Sequence, residues 1–375
     1  LSPARRVGLL FGGRSVEHEV SVTSARAVAE ALRQANLVCV PIAVTGDEGR
    51  WLSPEASAAI LASDAARAEP RAGSDDGAGV VLEPGKRRLV RVAPGSEPTP
   101  VEVDCVFPLV HGWGGEDGRV QGALDLAGIP YVGAGVLGSA AAMDKAVARL
   151  LMEAQGLPTV RWLTLRKPPG ARVTEAERRQ IAREIGFPAF VKPANGGSSV
   201  GVSRVASPEQ LDSALERALA CDAKILVEQG IDAREIECAV LGNDAPEVTL
   251  PGEIVPSREF YDYAAKYLDG TSVLKIPAPL DPEIVSAVRA HALAAYRCLG
   301  LAGLARVDFL VDRGSGQVYL NEVNTLPGFT PISMFPKLWE ASGLPFPRLV
   351  ERLVDLAVER WHAERGRRTV WKAGD

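Results

Sequence analysis

Cysteine is scarce in this chain and spaced against cross-linking. Cys39, Cys105, Cys221, Cys238 and Cys298 are odd in number, far apart, and include no CxxC pair. That excludes a disulfide framework and reads as small buried hydrophobes in a reducing compartment. Histidine is scarcer still: four residues, none spaced with another or with a cysteine, leave no zinc pattern. Long apolar runs are missing too. The run VGLLF near the N-terminus is too short to span a bilayer or to serve as a signal core, so a cytoplasmic protein with no membrane partner is expected. A basic excess is also absent. The formal charge of -5 argues against general nucleic-acid binding, which needs a basic face to displace counterions, but leaves small anionic ligands open to local sites. What remains is an ordinary globular composition over 375 residues, too long for one typical core, so two or three domains are expected.

The most informative stretch runs from Ala305 to Gly328, ARVDFLVDRGSGQVYLNEVNTLPG. Two apolar, β-branched runs flank a Gly/Asp/Ser turn and predict an antiparallel hairpin. A turn centred near Ser315 would set Leu310 opposite Leu320, Asp308 opposite Glu322 and Arg306 opposite Asn324. With period-two alternation these pairs share one face, while Val307, Phe309 and Val311 point into a core. A lone acid on such a strand usually looks at water. Two facing carboxylates with an amide two residues on are what a hard cation such as Mg²⁺ requires, and its shell is normally completed by phosphate.

In chain order, Val7 to Phe11 is a buried strand broken by Gly12 and Gly13, followed by a helix with Val20, Val28 and Leu32 inward. Glu17 and His18 fall at the turn, where open α/β sheets bind ligands. From spacing alone Glu17 is better read as charge complementing the helix N-terminus. A strand Val38 to Thr45 and a helix Pro54 to Ala62 continue the alternation. Ser63 to Pro100 reads as a surface excursion of unknown role, with strand-like pieces at Gly79 to Leu82 and Arg88 to Val92. Val103 to Val110 is a strand running into a glycine loop after His111, then a helix Arg119 to Ala127 stopped by Gly128. One helix is expected over Ala140 to Gln155, with Met143, Asp144 and Lys145 in its first turns. Lys192 sits on a strand before a Gly/Ser loop, Gly196 to Gly201, which is either a plain hairpin turn or a phosphate cover; it does not match a P-loop. The strands AKILVEQ and Glu235 to Leu241 follow. Pro256 to Ser272, with Tyr261, Tyr263 and Tyr267, is a lid or a loop packed by its own tyrosines. Helices Pro282 to Leu299 and Phe346 to Glu364 flank the hairpin, and the tail RGRRTVWK is a solvated end.

Taken together and in this order, HGWGGEDGRVQG, MDK, VKPANGGSSVG, EFYDYAAKY, ARVDF and NEVNTLPG resemble the D-alanine:D-alanine ligases of the ATP-grasp superfamily. The resemblance implies a mixed α/β and α+β, three-domain ligase: an N-terminal parallel-sheet α/β domain (1–135), then a central ATP-grasp subdomain (136–229) and a C-terminal one (230–375) that clamp ATP between them. It implies that Lys145 and Lys192 touch ATP phosphates under a loop of Ser198, Ser199 and Val200, that Glu228 binds adenine and Glu235 ribose, and that Lys266 belongs to the ATP and substrate sites. Asp308, Glu322 and Asn324 would hold two Mg²⁺ ions, with Mn²⁺ as a substitute.

The resemblance further implies that the first D-alanine becomes an acyl phosphate, attacked by the amine of the second, with Arg306 and the backbone N–H of Gly328 serving the oxyanion. Glu17 would bind the first ammonium and, through Ser198 and Tyr267, join the lids, which overturns the plainer reading of Glu17. His111 would lie near that substrate's carboxylate, and Lys266 and Ser333 would take the carboxylate of the second D-alanine. The tyrosines and lysine of YDYAAKY imply D-alanine rather than D-lactate as acceptor. A homodimer joined through the N-terminal domain is also implied. Gln229 and Gly230 replace bulkier residues of relatives, which puts the adenine contacts in doubt. A ligase akin to glutathione synthetase need not keep Glu17, HGWGGEDG or YDYAAKY, and a decayed ATP-gated binding protein would be expected to lose one of Arg306, Asp308, Glu322 and Asn324; none is missing.

Overall fold

The computed structural model describes residues 4–63, 77–168, 170–255 and 273–366. The expected lid with Lys266 and Tyr267, and nearly all of the basic tail, lie outside the described residues. Strand β1 (Arg6–Gly12) sits between β2 (Val38–Val44) and β6 (Cys105–Pro108) in a parallel sheet, with α1 (His18–Gln34) and α2 (Pro54–Ala62) in the first connections. Its apolar residues are buried on both faces, as a covered parallel strand requires. Val7, Leu9 and Phe11 pack with Val28 and Leu32, and Leu10 packs on the other side with Ile42 and Tyr131.

The expected surface excursion is in part a packed layer. Strands β3 (Gly79–Glu83), β4 (Arg88–Val92) and β5 (Thr99–Val101) form an antiparallel sheet. Val80, Leu89 and Val101 are buried against Leu10, Ile42 and Tyr131. The Ala, Gly and Pro content hid this sheet because its strands are three to five residues long.

The glycine loop after β6 leads to α3 (Arg119–Ala127), ended by Gly128 at φ 71° as its position predicts. The single helix expected over 140–155 is two, α4 (Val136–Met143) and α5 (Lys145–Ala154). Asp144 separates them with extended backbone, and its carboxylate accepts from Ala146 N and Val147 N at 3.1 and 3.2 Å. An aspartate competes with the helix for these amides and therefore restarts it. Lys145 is thereby brought against the chain just after Pro193, its own N–H donating to Ala194 O at 3.0 Å.

Strands β7 (Trp162–Arg166), β8 (Ala189–Pro193), β9 (Ser203–Val205) and β10 (Lys224–Gln229) make an antiparallel sheet of order β7-β10-β8-β9. The helices α6 (Glu175–Glu184) and α7 (Leu211–Cys221) belong to the same unit, Ile181 and Leu215 sharing its core with Val191 and Val227. A fourth sheet comprises β11 (Ala233–Gly242), β12 (Glu247–Val248), β13 (Gly252–Val255), β14 (Val273–Lys275), β15 (Gly303–Asp312) and β16 (Val318–Asn324), in order β14-β13-β11-β15-β16 with β12 on β11. Helix α8 (Pro282–Cys298) covers it, with Val288 and Ala292 against Val307 and Phe309. Helices α9 (Met334–Ala341) and α10 (Phe346–Arg365) finish the chain by returning to the first sheet: Leu349 and Leu353 share one core with Val7, Leu9 and Phe107. No described helix is long and apolar enough to cross a membrane.

In the β15–β16 hairpin Arg306 pairs with Asn324 and Asp308 with Glu322, as expected, and Val307, Phe309 and Val311 are buried. The expected Leu310–Leu320 pair is wrong. The register shifts between Asp308 and Phe309, so Phe309 faces Leu320 and Leu310 faces Tyr319. A bulge at this point inserts Asn321 beside Glu322 and re-aims the ligand end of the hairpin, which no alternation pattern reveals.

Candidate active site

The first wall is the β1–α1 turn. Gly12 and Gly13 have φ of 91° and 102°, and a Cβ at Gly12 would meet Val44 O at 2.4 Å, so the sharp turn there needs glycine. Ser21 Oγ accepts from Gly12 N at 2.7 Å and donates to Leu109 O at 2.6 Å. Glu17 then stands at the N-cap of α1 without capping it, 8% exposed. Its carboxylate accepts instead from Ser198 Oγ, 181 residues away. The glycine loop adds His111, 3% exposed, with Nδ1 3.0 Å from Leu326 O. Burial drives the pKa of His111 down against the opposing Glu17 charge. Glu116 of the same loop accepts from Gly112 N at 2.6 Å. Burial, then the Glu17 carboxylate, push its pKa up to about 8.

The second wall is the central sheet and its loop. Ser198 and Ser199 hold φ of 49° and 58°, unusual for non-glycine residues, and their loop lies over the turn that holds Glu17. Lys145 Nζ donates to Gly196 O at 2.6 Å and lies 3.5 Å from Glu322. Lys192 is buried and 2.6 Å from Glu228, whose other oxygen meets Arg149 at 2.9 Å. Desolvation lowers the Lys192 pKa, with Glu228 opposing.

The third wall is a row of acids across three strands. Glu237 on β11 pairs with Asp308 on β15, and Asp308 with Glu322 on β16. Arg306 grips both oxygens of Asp308, at 2.7 and 2.6 Å, and lies 3.1 Å from Glu237. Although desolvation works against its charge, Asp308 and Glu237 hold its pKa well above the ordinary arginine range. Asn324 Oδ1 accepts from Leu326 N at 2.9 Å. Ser333, at the N-cap of α9, accepts from Thr330 N at 3.0 Å, and a Cβ on Gly328 would meet Ser333 Oγ at 2.8 Å. Among the described residues no three acids, histidines or cysteines by themselves converge to hold a metal. The oxygens of Asp308, Glu322 and Asn324 are nonetheless the donors a hard cation takes when phosphate supplies the remainder.

The three walls enclose a cavity of about 500 Å³ lined by Glu17, His111, Lys145, Ser198, Glu235, Arg306, Asp308, Glu322, Asn324, Gly328 and Ser333. Lys192, Ser199, Val200 and Glu228 are not on its lining, and Lys266 and Tyr267 lie outside the described residues. Three charged lining residues escaped sequence reasoning as site residues: Glu116, Glu237 and Lys337. Glu237 shares a face of β11 with Glu235, so period-two alternation could have found it. The buried Arg149 beside Glu228 carried no such signal.

A parallel-sheet unit facing two antiparallel sheets across a cavity lined with lysine and acids defines the class of ATP-grasp enzymes. Two family models match, "D-ala D-ala ligase N-terminus" over residues 6–134 and "D-ala D-ala ligase C-terminus" over 151–355. A D-alanine–D-alanine ligase of Caldicellulosiruptor bescii is 46% identical over 95% of both chains. Among solved structures, a D-alanine-D-alanine ligase from Coxiella burnetii superposes with TM-score 0.82 at 34% identity, covering 97% of each chain. The VanG D-Ala:D-Ser ligase of Enterococcus faecalis gives 0.80 at 33%, covering 94% of this chain and 99% of that one. The chain belongs to the D-alanine–D-alanine ligase family.

Proposed function

We propose that the protein joins two D-alanines into D-alanyl-D-alanine with ATP, for peptidoglycan precursor synthesis. The observation that carries this reading is the meeting of Glu17, Ser198 and Arg306 on one cavity from three separate sheets and loops, in a chain matched end to end by D-alanine–D-alanine ligases. A carboxylate is a poor acylating agent, so ATP first converts the first D-alanine to an acyl phosphate. Glu17 holds its ammonium. Lys145 and Lys192 neutralise phosphate charge as the phosphoryl group moves, beneath the loop of Ser198, Ser199 and Val200. Glu235 serves the ribose. Glu228, already flanked by two cations, fixes Lys192 beside the adenine end.

Asp308, Glu322 and Asn324 would hold the two Mg²⁺ ions, which when bound spread the charge of the transferring phosphoryl group. The acceptor amine then attacks, and the oxyanion is met by Arg306 and the Gly328 N–H. Ser333 and Lys266 take the acceptor's carboxylate. Residues 1–135, 136–229 and 230–375 act as the three domains, with α10 returning to the first. A homodimer through the N-terminal domain goes with this reading, and Leu126, an apolar residue exposed on its helix α3, is available to such a contact.

The deciding experiment supplies ATP, Mg²⁺ and a mixture of D-alanine, D-serine and D-lactate, and identifies products by mass spectrometry. D-alanyl-D-alanine is expected as the main product. A dominant D-alanyl-D-serine or D-alanyl-D-lactate would overturn the acceptor assignment, and ATP turnover that ignores D-alanine would overturn the ligase reading.

A further inference from the structure

His111, on the cavity wall, has a buried ring nitrogen without a hydrogen-bond partner. Its Nδ1 is 3.0 Å from the main-chain oxygen of Leu326, and a carbonyl oxygen only accepts, so Nδ1 bears the hydrogen. The ring is 3% exposed, and desolvation lowers its pKa despite the Glu17 charge and the Leu326 bond. A neutral imidazole protonated at Nδ1 leaves Nε2 as an acceptor. Nε2 is buried without a hydrogen-bond partner, on a side chain that lines the cavity.

Such a nitrogen repels a carboxylate, so this ring is ill suited to the substrate carboxylate contact that the family resemblance implies. It suits an N–H. The ligase reaction has one that must be removed, because the acceptor arrives as an ammonium and cannot attack until a proton leaves. Leu326, which holds the ring, stands two residues before Gly328, where an added Cβ would meet Ser333 Oγ at 2.8 Å. One short loop therefore positions the imidazole, the oxyanion donor and the acceptor's carboxylate partner. The ionisable groups that share the cavity with the ring are Glu17 at the N-cap of α1, Glu116 from its own loop, Lys145 from α5, Glu235 and Glu237 from β11, Arg306 and Asp308 from β15, Glu322 from β16 and Lys337 from α9. The Glu17 charge favours the imidazolium once it forms.

We infer that His111 is the proton acceptor for the amine that attacks the acyl phosphate, an inference that rests on the ligase reading above. Nε2 takes one proton from the acceptor's ammonium, and the freed electron pair makes the C–N bond. The carbonyl pair moves to oxygen and returns as the C–O bond to phosphate breaks. Phosphate leaves with that pair and takes up the second amine proton; the amide keeps the third hydrogen. The imidazolium gives its proton to water after product departs, so each turnover releases one proton from this step.

The test uses the full chain with His111→Asn, whose side-chain amide keeps a donor toward Leu326 and removes Nε2, and His111→Gln as a second variant in case the first folds poorly. Ligation of D-alanine is compared with trapping of the acyl phosphate by hydroxylamine, an amine already uncharged at neutral pH. Both variants are expected to lose about 100-fold in ligation at neutral pH, the usual worth of a general base, to form hydroxamate within about threefold of wild type, and to recover as pH rises toward the acceptor's own ammonium pKa. Equal losses at every pH, or a parallel loss of hydroxamate, would overturn the proposal and leave His111 as an anchor for the first substrate. A wild type that makes no D-alanyl-D-alanine would overturn the ligase reading, and this proposal with it.

Discussion

Glu237 and Arg306 meet at 3.1 Å on adjacent strands, while Asp308 takes the same guanidinium through both of its oxygens. The arginine thus has two acid partners, of which one belongs to the proposed metal set. If Asp308 turns to a cation during turnover, Glu237 alone keeps Arg306 in place. Glu237→Gln should then lower kcat by about tenfold or more, a fraction of a full oxyanion donor, with KM for ATP changed less than about twofold. Steady-state kinetics decides between this positioning role and a role in nucleotide binding, which would move KM instead.

Arg306→Ala removes the oxyanion donor itself. The expected loss is about 2.7 to 4 kcal/mol in the barrier, or 10²–10³-fold in kcat. ATP binding, followed by calorimetry with a non-hydrolysable analogue, should change little. Near-normal turnover would take Arg306 out of the reaction.

Gly328→Ala should act on the acceptor. The added Cβ would lie 2.8 Å from Ser333 Oγ, so the serine must move. We expect KM for the acceptor D-alanine to rise about tenfold, the worth of one displaced hydrogen bond, with KM for ATP unchanged. Separate titration of the two amino-acid sites tests this.

Glu116 sets a pH dependence of stability. Its pKa in the fold is raised from 4.5 to about 8, so the folded state holds a proton that the unfolded chain has lost. The stabilisation is complete below pH 4.5 and is lost as pH rises through 8, with a slope of at most about 1.4 kcal/mol per pH unit between them. Thermal melts should show Tm falling over this window more steeply in wild type than in Glu116→Gln. Identical slopes would mean that the acid is ionised throughout.

Much of this site could be read in the chain because it is written on regular backbone. Asp308, Glu322, Arg306 and Asn324 lie on paired strands, and period two brings them to one face whatever packs around them. The bulge that shifts Phe309 onto Leu320 escaped that logic, since an extra residue leaves no mark on alternation. The break at Asp144 was half visible. Aspartate before a helical run signals a cap, yet the apolar residues on either side kept one unbroken helix plausible until its carboxylate was seen to take two amides.

The sequence by itself determined the α/β alternation of the first unit, the helix stop at Gly128, the metal-type hairpin and the family, because propensity, turn chemistry and short motifs are local properties. Only the tertiary structure decided which distant groups meet. The bond from Ser198 to Glu17 spans 181 residues, His111 is held by Leu326 across 215, and α10 shares a core with β1. Such contacts depend on how whole sheets pack, and burial then sets the charge of His111 and Glu116, which no spacing along the chain encodes.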